Sequence, residues 1–216
     1  MLDMLPTLMG GAWVTVELTF WSTLIGALCS FAFGIGRLSG NPVVKSVSVA
    51  YIEVFRGTSL LVQMFWIFFA LPLMGLSLSP MTAGIAALSL NIGAYGAEVV
   101  RGAIQAVPKS QYEASRALNF TSWQALWYVA LPQALPEMLP PFGNLAVQNL
   151  KDTALVSLIT LSDLAFRAES LRNLTQKSTE IYGMTLLIYF ALALVLTALM
   201  KVLEKRIGRW KAGGGR

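Results

Sequence analysis

Residues 107–141 read VPKSQYEASRALNFTSWQALWYVALPQALPEMLPP. The segment carries Lys109, Gln111, Glu113, Arg116, Asn119, Gln124, Gln133 and Glu137, while the sequence around it is strongly apolar. Pro108 can open a helix, because the N–H it lacks is one that a first turn leaves unpaired. Glu113, Arg116, Ala114, Ala117 and Leu118 follow at helical spacing. Asn119 suits a helix end. Thr121-Ser122-Trp123-Gln124 has the form of a capping box that starts a second helix, with Phe120 placed as its hydrophobic staple. Pro132 is expected to end that second helix. Segment 107–137 therefore predicts two short helices outside the bilayer, set between membrane spans. They form either a docking surface for a partner or an ordinary polar loop, and the double helix punctuation favours docking.

Working outward, the rest of the chain reads as membrane. Of 216 residues, 56% are hydrophobic and 12% charged, with a mean hydropathy of +0.63. That is too apolar for a soluble domain of this length. The chain has no His and a single cysteine, Cys29, inside an apolar run. A disulfide within the chain and a Cys/His metal site are both excluded. No Gly-x4-Gly-Lys-Ser/Thr phosphate loop occurs, so any ATP that drives the protein is bound by another chain. The N-terminus lacks a basic region of the kind that begins a cleavable signal peptide. The net charge of +5 is carried by loops between apolar runs, which fits membrane topology better than nucleic-acid binding.

Charge-free runs place five spans at about 12–36, 57–73, 81–100, 141–159 and 181–200. Residues 57–97 contain no charge. As helix they would cover roughly 60 Å, twice a ~30 Å hydrocarbon core, so Pro72 and Pro80 are taken to bracket a tight turn between two spans. Residues 38–56 form a loop, with Tyr51 to Phe55 as a short interfacial helix. Residues 162–179 are amphipathic, with Ser162 as N-cap. The basic residues from 201 onward mark a disordered tail. Arg37, Lys45, Arg56, Arg101, Lys109, Arg116 and the tail lie on one side, against Arg167, Arg172 and Lys177 on the other. Basic loops stay in the cytoplasm, so the N-terminus is expected outside and the C-terminus inside.

Lys151 and Asp152 interrupt the fourth span. Lys151 falls about 15 Å past Pro141, near mid-membrane, where a charge costs at least ~2.5–3.5 kcal/mol and needs a partner or a wet cavity. Neighbouring residues on a helix point about 100° apart, so the two are poorly placed to neutralise each other. Either a zwitterion takes both, its carboxylate on Lys151 and its amino group on Asp152, or both pair with adjacent helices, for example at Glu98. Asn91, Tyr95 and Glu98 make a polar stripe on the third span, and Thr153 and Ser157 extend one on the fourth; such stripes face the protein interior. Glu98 is also set for an i,i+3 pair with Arg101. Trp123, Trp127 and Tyr128 either fill pockets on a partner or rest on the membrane interface. No catalytic set is present.

Glu113-Ala114-Ser115 stands four residues before Asn119, and Leu131-Pro132 follows. The pattern resembles the EAA motif of ABC-importer permeases: EAA, three residues, Gly, nine residues, then I-x-L-P. It departs from that motif at Ser115 and Asn119, and Asn also tolerates a left-handed turn. Phe55-Arg56-Gly57-Thr58, residues 94–102 (AYGAEVVRG) and Leu150-Lys151-Asp152-Thr153 resemble the polar amino-acid branch, that of histidine-, glutamine- and arginine-type permeases, with ectoine-type solutes a further option. The resemblance implies an all-α integral membrane protein of the type I importer fold, with five transmembrane helices and two short cytoplasmic coupling helices. It implies coupling through Glu113, Ala114, Ser115, Arg116, Ala117, Asn119, Leu131 and Pro132. A substrate site would draw on Asn91, Tyr95, Glu98, Lys151, Asp152, Thr153 and Ser157.

The same resemblance implies a bacterial inner membrane and no catalysis or cofactor on this chain, ATP and Mg being held by partner ATPases. The implied partners are a second permease, identical or a paralogue, two ATP-binding subunits, and a periplasmic or lipoprotein substrate-binding protein, with membrane lipid around them. Two other functions compete on the residues alone. An ion-coupled secondary transporter would use Glu98, Lys151 and Asp152, but no internal repeat or broken helix is visible. A membrane adaptor without transport would gain little from charges at mid-membrane.

Overall fold

Helix α1 (Leu5–Arg37) runs 33 residues and packs along helix α4 (Pro80–Gln105) for most of its length. Small residues let the two backbones approach: a Cβ on Gly34 would stand 2.7 Å from the Ala97 carbonyl, and one on Gly96 would collide with Ser30. The computed structural model describes residues 4–213, and of residues 208–213 the backbone only. Every regular element among the described residues is helical.

After α1, Asn41 caps helix α2 (Pro42–Gly57) by accepting the Val43 N–H at 2.9 Å. Helix α3 (Leu60–Phe65) widens into a π turn over Trp66–Ala70 and tightens into a 3-10 turn over Leu71–Met74. Gly75, at φ 88°, closes it in the left-handed region that glycine adopts without strain. α4 follows, capped by Ser79. Next come α5 (Lys109–Ala117) and α6 (Ser122–Gln124), the latter passing through a π stretch (Ala125–Ala130) into α7 (Leu131–Asp152). A 3-10 stretch (Thr153–Ile159), α8 (Leu164–Thr175) and the 36-residue α9 (Ser178–Gly213) complete the chain.

Three apolar clusters hold these helices. Leu18, Met64, Leu88, Val156 and Ile159 join α1, α3, α4 and the 3-10 stretch. Val100, Ile104, Ala134 and Met138 join the end of α4 to α7. Leu8, Leu164 and Ile181 join α1, α8 and α9.

The helices differ from the sequence expectation in several places. Residues 5–11 of the expected lead and the segment 201–213 are both helix, continuous with α1 and α9; residues 1–3 of the lead and 214–216 of the expected tail lie outside the described residues. Most of the loop expected at 38–56 is α2. Pro132 does not end the second helix, and the span expected at 141–159 is the second half of α7 plus a 3-10 stretch. Pro132, Pro136 and Pro140 recur every four residues, so the backbone bonds they forfeit fall along one side, while a π stretch precedes the first of them. Asp163, not Ser162, caps α8, accepting the Phe166 N–H at 2.9 Å.

By length and composition three helices of the described residues can cross a bilayer: α1, α4 and the Ser178–Ile207 part of α9. The α2–α3 pair, bent by 106°, would count as a fourth if it is one broken span. Helix α7 is absent from that set; it is rich in proline and presents Gln133, Glu137, Asn144, Gln148 and Lys151 along one exposed side.

Candidate functional site

A cavity of about 590 Å³ lies where the α2–α3 bend, α4 and α7 meet. Thr58, Ser59 and Leu60 come from the bend, Asn91 and Tyr95 from α4, and Gln148, Asn149 and Asp152 from α7. Asp152 is the only side chain with a formal charge among the lining residues. Its Oδ1 accepts a hydrogen bond from Gln148 Nε2 at 2.9 Å. Asn149 is turned inward, donating to Ser22 Oγ at 2.6 Å and to Thr23 Oγ1 at 3.0 Å on α1.

The bend itself explains the polar wall opposite. Breaking the chain between α2 and α3 strands the last carbonyls of α2. Gln63 Nε2 donates to the carbonyl of Phe55 at 2.9 Å and to Thr58 Oγ1 at 2.7 Å, and Asn91 Nδ2 donates to Phe55 O and to Gln63 Oε1, both at 3.1 Å. Arg56 lies over the Tyr95 ring, 5.4 Å from its centroid, so a cation stands beside the aromatic wall of the cavity.

Asn91, Tyr95 and Asp152 are thus brought together. Glu98 does not line the cavity; its carboxylate is held by Arg37 of α1 and by Arg101, whose Nη2 is 2.8 Å away. Lys151 lies on the exposed side of α7. Thr153 is buried and donates to the Leu150 carbonyl, and Ser157 donates to the Ala154 carbonyl, each at 2.7 Å and outside the lining. Gln148 and Asn149 line the cavity, and Gln63 and Arg56 stand behind its wall against Thr58, Asn91 and Tyr95; none of the four is among the residues expected from the sequence. Gln63 and Asn91 are polar groups of the same kind in the same charge-free run, so an inward-facing position is as readable for Gln63 as for Asn91.

Segment 107–137 forms a second, exposed polar and aromatic surface. Glu113, Ala114, Arg116, Ala117 and Asn119 are exposed on and just after α5, while Ser115 is buried and donates to the Gln111 carbonyl at 2.7 Å. Asn119 ends α5 at φ 59°. Thr121 and Gln124 form the capping box reciprocally, and Phe120 packs edge-on against Tyr128. Leu131 and Pro132 are half-buried at the start of α7. The segment is anchored to α4 by Tyr112, whose hydroxyl donates to the Ile104 carbonyl at 3.1 Å; burial pushes this phenol above its ordinary range. Trp123 and Tyr128 stand out from it, 63% and 73% exposed, and Trp127 stacks edge-on against Trp123.

Comparison with known proteins gives this architecture a place. Residues 22–209 match the family described as "Binding-protein-dependent transport system inner membrane component". The chain is 63% identical to the probable amino-acid ABC transporter permease protein y4tF of Sinorhizobium fredii, over 97% of this chain and 90% of that protein. It is 34% identical to the glutamine transport system permease protein GlnP of Escherichia coli, over 94% of each. Among solved structures, that of an amino acid ABC transporter with histidines superposes with a TM-score of 0.88 at 37% identity, over 95% of this chain and 96% of that one. The chain therefore belongs to the family of inner-membrane components of binding-protein-dependent transport systems, and is an all-helical permease subunit with the type I importer fold.

Proposed function

We propose that this permease translocates a polar amino acid or an amino-acid-like zwitterion, ectoine-type solutes included, and that ATP hydrolysis on separate subunits drives it. The observation that carries the substrate class is the cavity whose only formal charge is Asp152. A single carboxylate in a partly desolvated wall favours a cationic group, which Asp152 accepts while Gln148 fixes its rotamer. The carboxylate end of the substrate turns toward Arg56, beside Tyr95, and Asn91 and Thr58 give the neutral polar contacts between them. The relatives' names, amino-acid and glutamine permeases, support the same class.

The exposed polar side of α7, which ends at Lys151, suits a second permease, identical or a paralogue, across a shared wet path, since such a stripe is costly against lipid. The exposed acids, bases and aromatics of 107–137 suit a pair of ATP-binding subunits that hold ATP and Mg, and a periplasmic or lipoprotein binding protein supplies substrate from the other side. In this arrangement the N-terminus is outside and 107–137 cytoplasmic. The test is uptake of labelled amino acids by proteoliposomes containing the assembled transporter and its binding protein. Uptake requires ATP on the ATPase side and survives collapse of ion gradients by an ionophore. Uptake abolished by the ionophore with ATP present would assign an ion-coupled carrier instead.

A further inference from the structure

Glu17 is the only formal charge in α1 before Arg37, and it lies on the exposed side of the helix. Among the described residues nothing pairs with its carboxylate. It opens onto a groove of about 560 Å³ between α1 and α4, walled mainly by Trp21, Ile25, Met81, Ile85 and Leu90. The two hydroxyls of the groove are already used: Thr82 donates to the Ser79 carbonyl at 2.9 Å and Ser89 to the Ile85 carbonyl at 2.6 Å. The carboxylate is therefore the one open polar group in an otherwise apolar channel.

Depth sets what can occupy it. Glu17 is level with Met81 and Thr82, in the first turn of α4, whereas Ile25 and Leu90 lie about 12 Å deeper along the helices. Trp13 and Trp21, 70% and 44% exposed, flank Glu17 by one turn on each side; tryptophans of this kind sit at headgroup level. The groove thus has an anionic mouth at the headgroup boundary and an apolar body in the acyl region. A carboxylate there calls for a cation, and the length below it matches part of an acyl chain.

We propose that the α1–α4 groove binds an aminophospholipid of the phosphatidylethanolamine class, its ammonium on Glu17 and one acyl chain along Trp21, Ile25, Ile85 and Leu90. A primary ammonium offers three N–H donors to the carboxylate, as a lysine does. A choline headgroup offers none, and a phosphatidylglycerol headgroup carries net negative charge, so the site discriminates among headgroups.

The test uses the intact transporter, purified in mild detergent and exchanged against equal mole fractions of dioleoyl-phosphatidylethanolamine, -choline and -glycerol, with retained lipid counted by native mass spectrometry. Wild type should keep phosphatidylethanolamine over phosphatidylcholine by about fivefold, the equivalent of an ~1 kcal/mol ion pair. Glu17→Gln, of the same shape, should bring the ratio close to one, and Ile85→Trp should displace the lipid with Glu17 still present. A wild type without headgroup preference, or a Glu17→Gln variant that keeps it, would overturn the proposal. So would high-yield cross-linking of Ile25→Cys to another subunit in the membrane, since protein would then cover the groove.

Discussion

Asn91 Nδ2 donates to Gln63 Oε1 across 3.1 Å, tying α4 to α3 at the bend that shapes the cavity. Gln63 in turn satisfies the Phe55 carbonyl and the Thr58 hydroxyl. Gln63→Leu removes that satisfaction and leaves Asn91 short of an acceptor. The variant should lose ~1–3 kcal/mol of stability, read as a lowered thermal midpoint in detergent. Asn91→Leu should cost a similar amount, and the double variant less than the sum, because both act on one network. Additive losses would show that the two side chains act independently.

A pH dependence follows from Asp163, fully buried at the start of α8 beside the hydroxyl of Tyr189. Burial pushes its carboxyl up from 3.8 to about 6, against the opposing hydrogen bonds from the α8 backbone and Tyr189. The fold therefore favours the protonated form. Its contribution is full below pH 3.8 and is lost as pH rises through about 6, a change on the order of 3 kcal/mol. Asp163→Asn keeps the capping oxygen without the charge, so its thermal midpoint should stay flatter than the wild type's over that window. Parallel wild-type and variant profiles would contradict this.

How much of this was legible in the sequence varied along the chain. The capping box at Thr121 and Gln124 and the left-handed Asn119 are local devices, and the structure repeats them as read. Helix α2 is also announced locally, by Asn41-Pro42, but valines and scattered polar residues blur its period. Pro132, Pro136 and Pro140 look like stops one at a time; only their shared side, and the π stretch ahead of them, let one helix run through. The cavity could not be read directly. Arg37 takes Glu98 from 61 residues away, and Asn149 reaches Ser22 across 127, so the sequence left Glu98 available for substrate and overlooked Asn149.

Orientation is open to a direct check. With the native Cys29 replaced by alanine, Ser110→Cys should react with a membrane-impermeant maleimide only from the cytoplasmic side, and Asn173→Cys only from outside; both positions are exposed. Labelling of the two from one side would contradict the proposed topology.

Coupling is expected to run through Glu113, which is exposed on α5. Glu113→Lys reverses a surface charge without touching core packing, so the protein should insert normally. A like-charge contact at an interface costs several kcal/mol, so ATPase pull-down and substrate-stimulated ATP hydrolysis should fall by at least ~tenfold. Wild-type stimulation would remove Glu113 from the mechanism.

The central claim is that Asp152 holds the cationic end of the substrate in the cavity between α4 and α7. Asp152→Asn keeps the size of the side chain and its link to Gln148 while deleting the charge. The decisive measurement is uptake of a labelled cationic or zwitterionic amino acid by proteoliposomes carrying this variant, with insertion and basal ATP hydrolysis checked alongside. Loss of a charged hydrogen bond predicts a fall of at least ~tenfold, equivalent to ~1.4 kcal/mol, with insertion and basal hydrolysis retained. Uptake at the wild-type rate would contradict the account and leave Asp152 a structural residue.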